Sequence, residues 1–431
     1  MRIAIVGSGI SGLVAAHTLA PRHHVVVFEA EDRLGGHTHT VDAGQTAIDT
    51  GFIVFNTRTY PHFVRFLEAL GVGWQHSDMS FSVRSDRRNF EYGSASLNAL
   101  FAQRRHLLSP RFHRLWRDIL RFYRDARELL APGVELTLGE YLSAHGYSDA
   151  FITDHLLPLV GAVWSSNRAD ARDFPARLLV RFFDQHGFLQ RGGGWPWLTI
   201  KGGSREYIRA WQKTFRGEIR LTCPVDRISR GAGVTVVSCA GRAPESFDHV
   251  IVACHADQAL GLVSNPTPRE RELLAAFPFQ RNDVVLHTDE RLMPKHRRTW
   301  SSWNYHLDDE QAEGPSVTYW MNRLQRIPFD SADPAQGRAT EYFVTLNRTA
   351  DIRPERILRR FSYAHPRLTP AATRAQARHA ELIDHDGVSY CGAYWRNGFH
   401  EDGVVSAIRV CEALGAHQAS APDSHARESV A

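Results

Sequence analysis

The sequence predicts an α/β fold, α+β mixed overall, in which a Rossmann-like domain is interleaved with a mixed-sheet and helical second domain. Three observations predict it. A chain of 431 residues is too long for one hydrophobic core. Its N-terminus carries a strand, a glycine loop, a helix and a second strand in direct succession. Strand-and-turn segments of similar character return near residues 220, 250 and 390, separated by long stretches of different pattern.

The first elements define a nucleotide site. Arg2–Val6 reads as a buried strand, Gly7-Ser8-Gly9-Ile10-Ser11-Gly12 as a loop, Leu13–Leu19 as a helix and His24–Phe28 as the next strand, ending at Glu29. Gly7 permits the tight turn, Gly9 lets a pyrophosphate approach the backbone, and Gly12 lets helix and strand pack closely. The helix start around Ser11 offers unpaired N–H groups and the positive end of a dipole. Glu29 is placed to accept hydrogen bonds from both hydroxyls of a ribose, which disfavours a 2′-phosphate. No second GxGxxG follows, so a bound NAD(P)H is not indicated.

The next segment narrows the nucleotide. Arg33-Leu34-Gly35-Gly36-His37-Thr38 follows Glu29, and Ile48-Asp49-Thr50-Gly51 closes a strand-like stretch. This resembles the flavin-containing amine oxidase superfamily, where the pattern is E-x-x-x-R-x-G-G-R followed by D-x-G. The match holds at Glu29, Arg33, Gly35, Gly36, Asp49 and Gly51, and departs at His37, where the family has Arg. By the resemblance, this position lies near the pyrophosphate and the flavin edge, and the departure counts against a plain amine oxidase.

Two later landmarks fit the same family. Lys201-Gly202-Gly203-Ser204 leads into a helix, Arg205–Phe215, and then to a turn at Val225, whose family counterpart supplies backbone contacts to adenine. Near the end, Val388–Ala393 reads as strand and turn, and Glu401-Asp402-Gly403-Val404 opens a last helix. The resemblance implies FAD, with Gly392, Asp402, Gly403 and Val404 closing the flavin site. It also implies a fold of the amine-oxidase/glutathione-reductase type. Some family members attach FAD through a C-terminal cysteine, but Cys391 adjoins a turn glycine outside that context, so non-covalent FAD is expected.

The expected FAD-binding domain is discontinuous, at 1–75, 195–275 and 380–415, with a substrate domain from 76–194 and 276–379. The tail, 416–431, is small and polar and reads as disordered. Composition is ordinary for a globular protein, with 43% hydrophobic and 23% charged residues. A net charge of +4 is too mild for a dedicated nucleic-acid binder. Five cysteines without a CxxC pair suggest thiols in a reducing compartment, and 23 histidines without HExxH indicate no metal centre. The apolar run at Ile3–Val6 is too short for a signal peptide, and no stretch reaches the roughly 20 residues of a bilayer span. The expected location is the cytoplasm, with peripheral contact at the inner face of the membrane as an option.

That option rests on 101–130, where Arg104, Arg105, Arg111, Arg114, Arg117, Arg121, Arg124 and Arg127 alternate with apolar residues. From Arg111 on, Leu115, Ile119 and Phe122 recur at helical spacing, as in a helix lying on an anionic bilayer. An amphipathic helix with a solvated charged face is the alternative.

Aromatic residues including Phe52, Trp164, Trp197, Trp303 and Tyr319 are candidates to line an apolar cavity. The polar candidates beside the flavin are His37, Lys201, Arg205 and Glu206, with Glu206 or Lys201 as proton acceptor; these two also suit a solvated helix start. Phe52–Asn56, Trp195-Pro196 and Cys391–Gly403 resemble a bacterial subgroup associated with cyclopropane-fatty-acid-synthase-like methyltransferases. That resemblance implies desaturation of a methyl-branched, unsaturated phospholipid acyl chain, by proton abstraction and hydride transfer to flavin N5, and a methyltransferase partner. A soluble amine oxidase and a non-catalytic flavin-bearing partner of the methyltransferase remain alternatives.

Overall fold

The computed structural model describes residues 1–415 apart from 132, 134–135, 165–167, 190–193, 232, 308–313, 329–331 and 334–337; the tail expected to be disordered lies outside the described residues. Five parallel strands form one sheet in the spatial order Val388–Tyr390, His249–Val252, Arg2–Val6, His24–Phe28, Glu218–Arg220. The three central strands are runs of Val, Ile and Ala because both of their faces are covered. Ile3, Ile5, Val25, Val27 and Ile251 pack under the helices Ile10–Leu19 and His400–Ala413. Ala4, Val6, Val26, Val250 and Val252 face the other way, into a cluster with Ile228, Val237 and Leu273. Ile228 and Val237 come from a three-stranded antiparallel sheet, Val225–Arg230, Thr235–Cys239 and Glu245–Phe247.

A seven-stranded mixed sheet builds the second lobe. Its order is Ile357–Pro366, Phe279–His287, Phe343–Leu346, Val317–Trp320, Trp303–His306, Phe81–Ser85, Phe90–Gly93. Segments more than 200 residues apart therefore share one sheet, joined where Trp303–His306 runs parallel to Phe81–Ser85. Helices between Leu97 and Gln185 cover it on one side.

Among these, Pro110–Asp125 decides how the arginine-rich stretch is used. Its Ser109 cap accepts a hydrogen bond from the Phe112 N–H at 3.3 Å, and Pro110 occupies the first helical turn. Phe112, Leu115, Ile119 and Phe122 are all buried in the lobe's core against Tyr141, Phe151 and Leu179. The apolar stripe is core, so this helix does not lie with its aromatics in a bilayer interface. The later arginines are committed to neighbours: Arg121 lies over the Tyr147 ring, Arg124 pairs with Asp125, and Arg127 pairs with Asp184.

All five cysteines are free thiols, four of them buried. Among the described residues no group of histidine, cysteine and acidic side chains could hold a metal ion, and no helix is long and apolar enough to cross a membrane.

Candidate functional site

The carboxyl ends of the five parallel strands converge on one edge, where α/β sheets hold their ligands. Gly7 leaves the first strand at φ +103°, and Gly12 packs so tightly that a Cβ would stand 2.0 Å from the Gly7 carbonyl oxygen. Gly9 differs: a Cβ there would meet nothing within 4 Å. Two of the glycines thus serve packing, and the third opens on free space at the N-terminus of helix Ile10–Leu19, which has no acid in its first turn. Glu29 is held by the Ser8 N–H at 3.0 Å, the Ser8 hydroxyl at 2.5 Å and the Glu31 N–H at 2.9 Å. This fixes a carboxylate at the end of the second strand with lone pairs to spare.

The segment after Glu29 folds back onto the loop. The Gly35 N–H donates to the Ser8 carbonyl at 3.0 Å, and a Cβ on Gly36 would lie 3.2 Å from the Gly9 Cα. Arg33 ties the turn by donating to the Gly36 carbonyl at 2.9 Å and pairs with Glu31 at 2.8 Å. Gly51 crosses behind it, where a Cβ would sit 2.1 Å from the His37 carbonyl oxygen. Asp49 is fully buried and accepts from the Thr40 hydroxyl, the Ser204 N–H, the Ser204 hydroxyl and the Gln325 amide. Burial pushes its carboxyl up to about 6, against these hydrogen bonds. Its described partners thus belong to the protein, and they anchor the start of helix Arg205–Thr214.

Past this turn stands a group of imidazoles that no sequence motif marks. His37 lies 5.6 Å from His255 and 5.3 Å from His365, ring centre to ring centre, with Tyr363 at 5.4 Å. Burial, and then His365, His255 and His400, hold His37 well below the usual imidazole value. Burial likewise lowers His365 to about 4 and His400 to about 3. These groups are neutral at pH 7. The His37 Nε2 is buried without a hydrogen-bond partner. A neutral imidazole with its proton on Nδ1 presents a lone pair at Nε2.

The C-terminal helix completes this wall. His400 stacks on Phe52 at 3.5 Å and shares a hydrogen bond with the Thr38 hydroxyl at 2.9 Å, which also bonds the Tyr207 hydroxyl at 2.6 Å. Glu401 is turned onto the N–H groups of His62 and Phe63, and Asp402 onto the Phe399 N–H and Arg396. Gly403 lets this helix approach the first: a Cβ would stand 2.8 Å from Ile10 and from the Ser11 hydroxyl. Val404 is buried beneath it. Gly392 donates to the Ser406 hydroxyl at 2.8 Å, and Val225 starts a strand just after Cys223, whose N–H donates to the Glu29 carbonyl at 2.8 Å.

Phe399 bridges the lobes, packing against both hydrophobic clusters. It stacks on Phe182 at 4.9 Å, which continues to Trp164 and His186, and His186 stacks on Trp197 at 6.0 Å. The junction is therefore aromatic, meeting neutral imidazoles at its inner end.

Lys201 and Glu206 are placed elsewhere. They line an outward groove with Gly71, Gly73, Arg209 and Lys213, and Glu206 pairs with Arg209 at 2.8 Å. None of the grouped histidines lines this groove. The structure does not bring these two candidates together with His37.

A model of the family described as flavin containing amine oxidoreductase matches residues 10–415. The chain belongs to that family. FAD is its cofactor, and the loop fits it: the free space at Gly9, the anchored Glu29 and the bare helix N-terminus are what a dinucleotide requires. Cys391 is fully buried, with its thiol pushed well up by burial, which suits non-covalent binding. Among curated relatives, AofH of Mycobacterium tuberculosis, named as a flavin-containing monoamine oxidase, is 29% identical over 293 residues, covering 63% of this chain and 61% of that protein. A polyenoic fatty acid isomerase of Ptilota filicina is 34% identical over 80 residues, or 18% of this chain and 16% of that one. Among solved structures, a fatty acid isomerase from P. acnes aligns with TM-score 0.67 at 14% identity over 95% of this chain and 98% of its own. Putrescine oxidase aligns with TM-score 0.67 at 13% identity over 97% and 100%. Likeness at this identity shows the fold.

Proposed function

We propose that this protein is an FAD-dependent oxidoreductase that removes two hydrogens from a lipid acyl chain, with His37 as the acceptor of the proton. The observation that carries the proposal is the buried, unpartnered Nε2 of a neutral His37, whose carbonyl accepts from the N–H of Phe52 at 2.9 Å. FAD, when bound, supplies the acceptor for the second hydrogen and its electron pair. His37 takes the proton from an activated allylic carbon, and burial keeps it unprotonated and ready at neutral pH. Phe52, Phe399 and Trp197 offer apolar surface for the chain and exclude water. An acyl substrate also agrees with the two fatty acid isomerases among the similar proteins. The methyl-branched, unsaturated phospholipid chain is the specific substrate we favour, with a cyclopropane-synthase-like methyltransferase as partner.

An amine substrate is the second reading, favoured by the likeness to AofH over 63% of the chain. Mass spectrometry of phospholipid carrying such a chain, incubated with the holoprotein and oxygen, tests the first reading. Loss of two hydrogens supports it. Double-bond migration without that loss indicates isomerisation, and an unchanged lipid refutes the proposal.

A further inference from the structure

On the mixed-sheet lobe, a separate cavity of about 270 Å³ opens at the start of helix Pro110–Asp125. Arg88, Arg105 and Arg111 line it, together with His106, Phe112 and Asp154. The buried Asp154 carboxylate pairs with Arg88 at 2.9 Å and Arg111 at 2.8 Å, while Arg105 donates to Gln103, so the lining carries three guanidiniums and one carboxylate. His106 is 4% exposed and stacks on Phe112 at 4.3 Å. The guanidinium N–H groups not engaged by Asp154, next to a helix N-terminus, suit one ligand chemistry, an oxyanion such as a phosphate.

The rim is apolar. Leu97, Leu107 and Leu108 are 73%, 50% and 88% exposed, and they are three of the seven exposed large hydrophobic residues described. Arg104 joins the two turns that carry them, donating to Asn98 at 2.7 Å and to the Phe101 carbonyl at 2.9 Å. Exposed leucines beside solvent-facing arginines match the two chemistries of an anionic bilayer surface, acyl chain and phosphate.

We propose that this patch docks on an anionic phospholipid bilayer, with a lipid phosphate in the Arg105–His106 cavity and Leu107 and Leu108 in the acyl boundary. The buried face of the helix takes no part; its N-terminus and the preceding turn make the contact. The proposal is independent of the chemistry at the flavin, because binding is read without turnover.

The test is co-sedimentation of the holoprotein with phosphatidylcholine vesicles, with and without phosphatidylglycerol. Binding is expected only with the anionic lipid and falls with salt. The double substitution Leu107→Ser/Leu108→Ser, and separately Arg105→Glu, each weaken it about tenfold or more. These side chains are exposed and leave the Asp154 pairs intact, and retained flavin absorbance confirms folding. Equal binding to neutral vesicles, no binding to either, or unaltered binding by both variants overturns the proposal. Inorganic phosphate protecting the cavity, with no vesicle binding, would instead make this a site for free phosphate and overturn the docking.

Discussion

Replacing Gly9 by valine and Gly12 by alanine separates cofactor space from packing within one six-residue loop. At Gly9 the backbone has φ −62° and ψ 176°, open to any residue, and a Cβ meets nothing within 4 Å. The apoprotein of Gly9→Val should therefore keep its stability within about 1 kcal/mol, the lost chain freedom of glycine offsetting a poorer helix cap. FAD binding should be abolished, because the side chain fills the space the pyrophosphate needs. At Gly12 a Cβ would stand 2.0 Å from the Gly7 carbonyl oxygen, so helix and strand must separate by more than 1 Å. Overpacking of this kind costs about 1–3 kcal/mol, or several degrees in Tm. The assays are visible flavin absorbance per protein after gel filtration with excess FAD, and thermal unfolding of the apoproteins. Stoichiometric FAD on Gly9→Val would mean that the space at Gly9 is not the pyrophosphate's, and an apoprotein destabilised as much as Gly12→Ala would mean that Gly9 serves packing.

Other expectations follow from the same geometry. His37→Leu should retain FAD but slow its anaerobic reduction by about 100-fold or more, the usual contribution of a positioned base; Glu206→Gln, altered in an outward groove, should leave that rate unchanged. His365 is held at about 4 against an unfolded value near 6.5, so its burial as a neutral ring is free of penalty above pH 6.5 and opposes folding increasingly as pH falls toward 4. Urea unfolding of wild type and His365→Gln at pH 7 and pH 5 should show the variant losing less stability, by up to about 2 kcal/mol. The raised carboxyls of Asp49 and Asp402 act in the opposite sense, which the paired comparison cancels. Asp49→Asn should cost about 1–3 kcal/mol in thermal or urea unfolding, since the amide turns donors toward hydroxyl and N–H donors of Thr40 and Ser204.

The nucleotide-binding core was legible because its chemistry is local. Gly7, Gly9, Gly12 and Glu29 lie within two strands and one helix, and each answers a demand of backbone geometry that spacing records. The 3.6-residue period of Leu115, Ile119 and Phe122 identified a helix, but periodicity names an apolar face without saying whether protein or lipid covers it. The structure supplies the lobe's own core. The imidazole group was not legible: His37, His255, His365 and His400 are dispersed over 364 positions and meet only in the tertiary fold. One signal was available. His255 follows the buried strand His249–Val252 by three residues, at the carboxyl edge where parallel sheets hold ligands. Lys201 and Glu206 adjoin Gly203 in sequence, but Lys201 lies in the turn before helix Arg205–Thr214, whose buried face is Tyr207, Ile208 and Trp211.

Anaerobic titration of the flavin colour distinguishes a lipid substrate from an amine. The holoprotein is mixed with phospholipid bearing a methyl-branched, unsaturated chain, and in parallel with a panel of primary amines. Bleaching by the lipid, greatly slowed in His37→Leu, is expected, and none by the amines. Bleaching by an amine with no response to the lipid would contradict a lipid substrate.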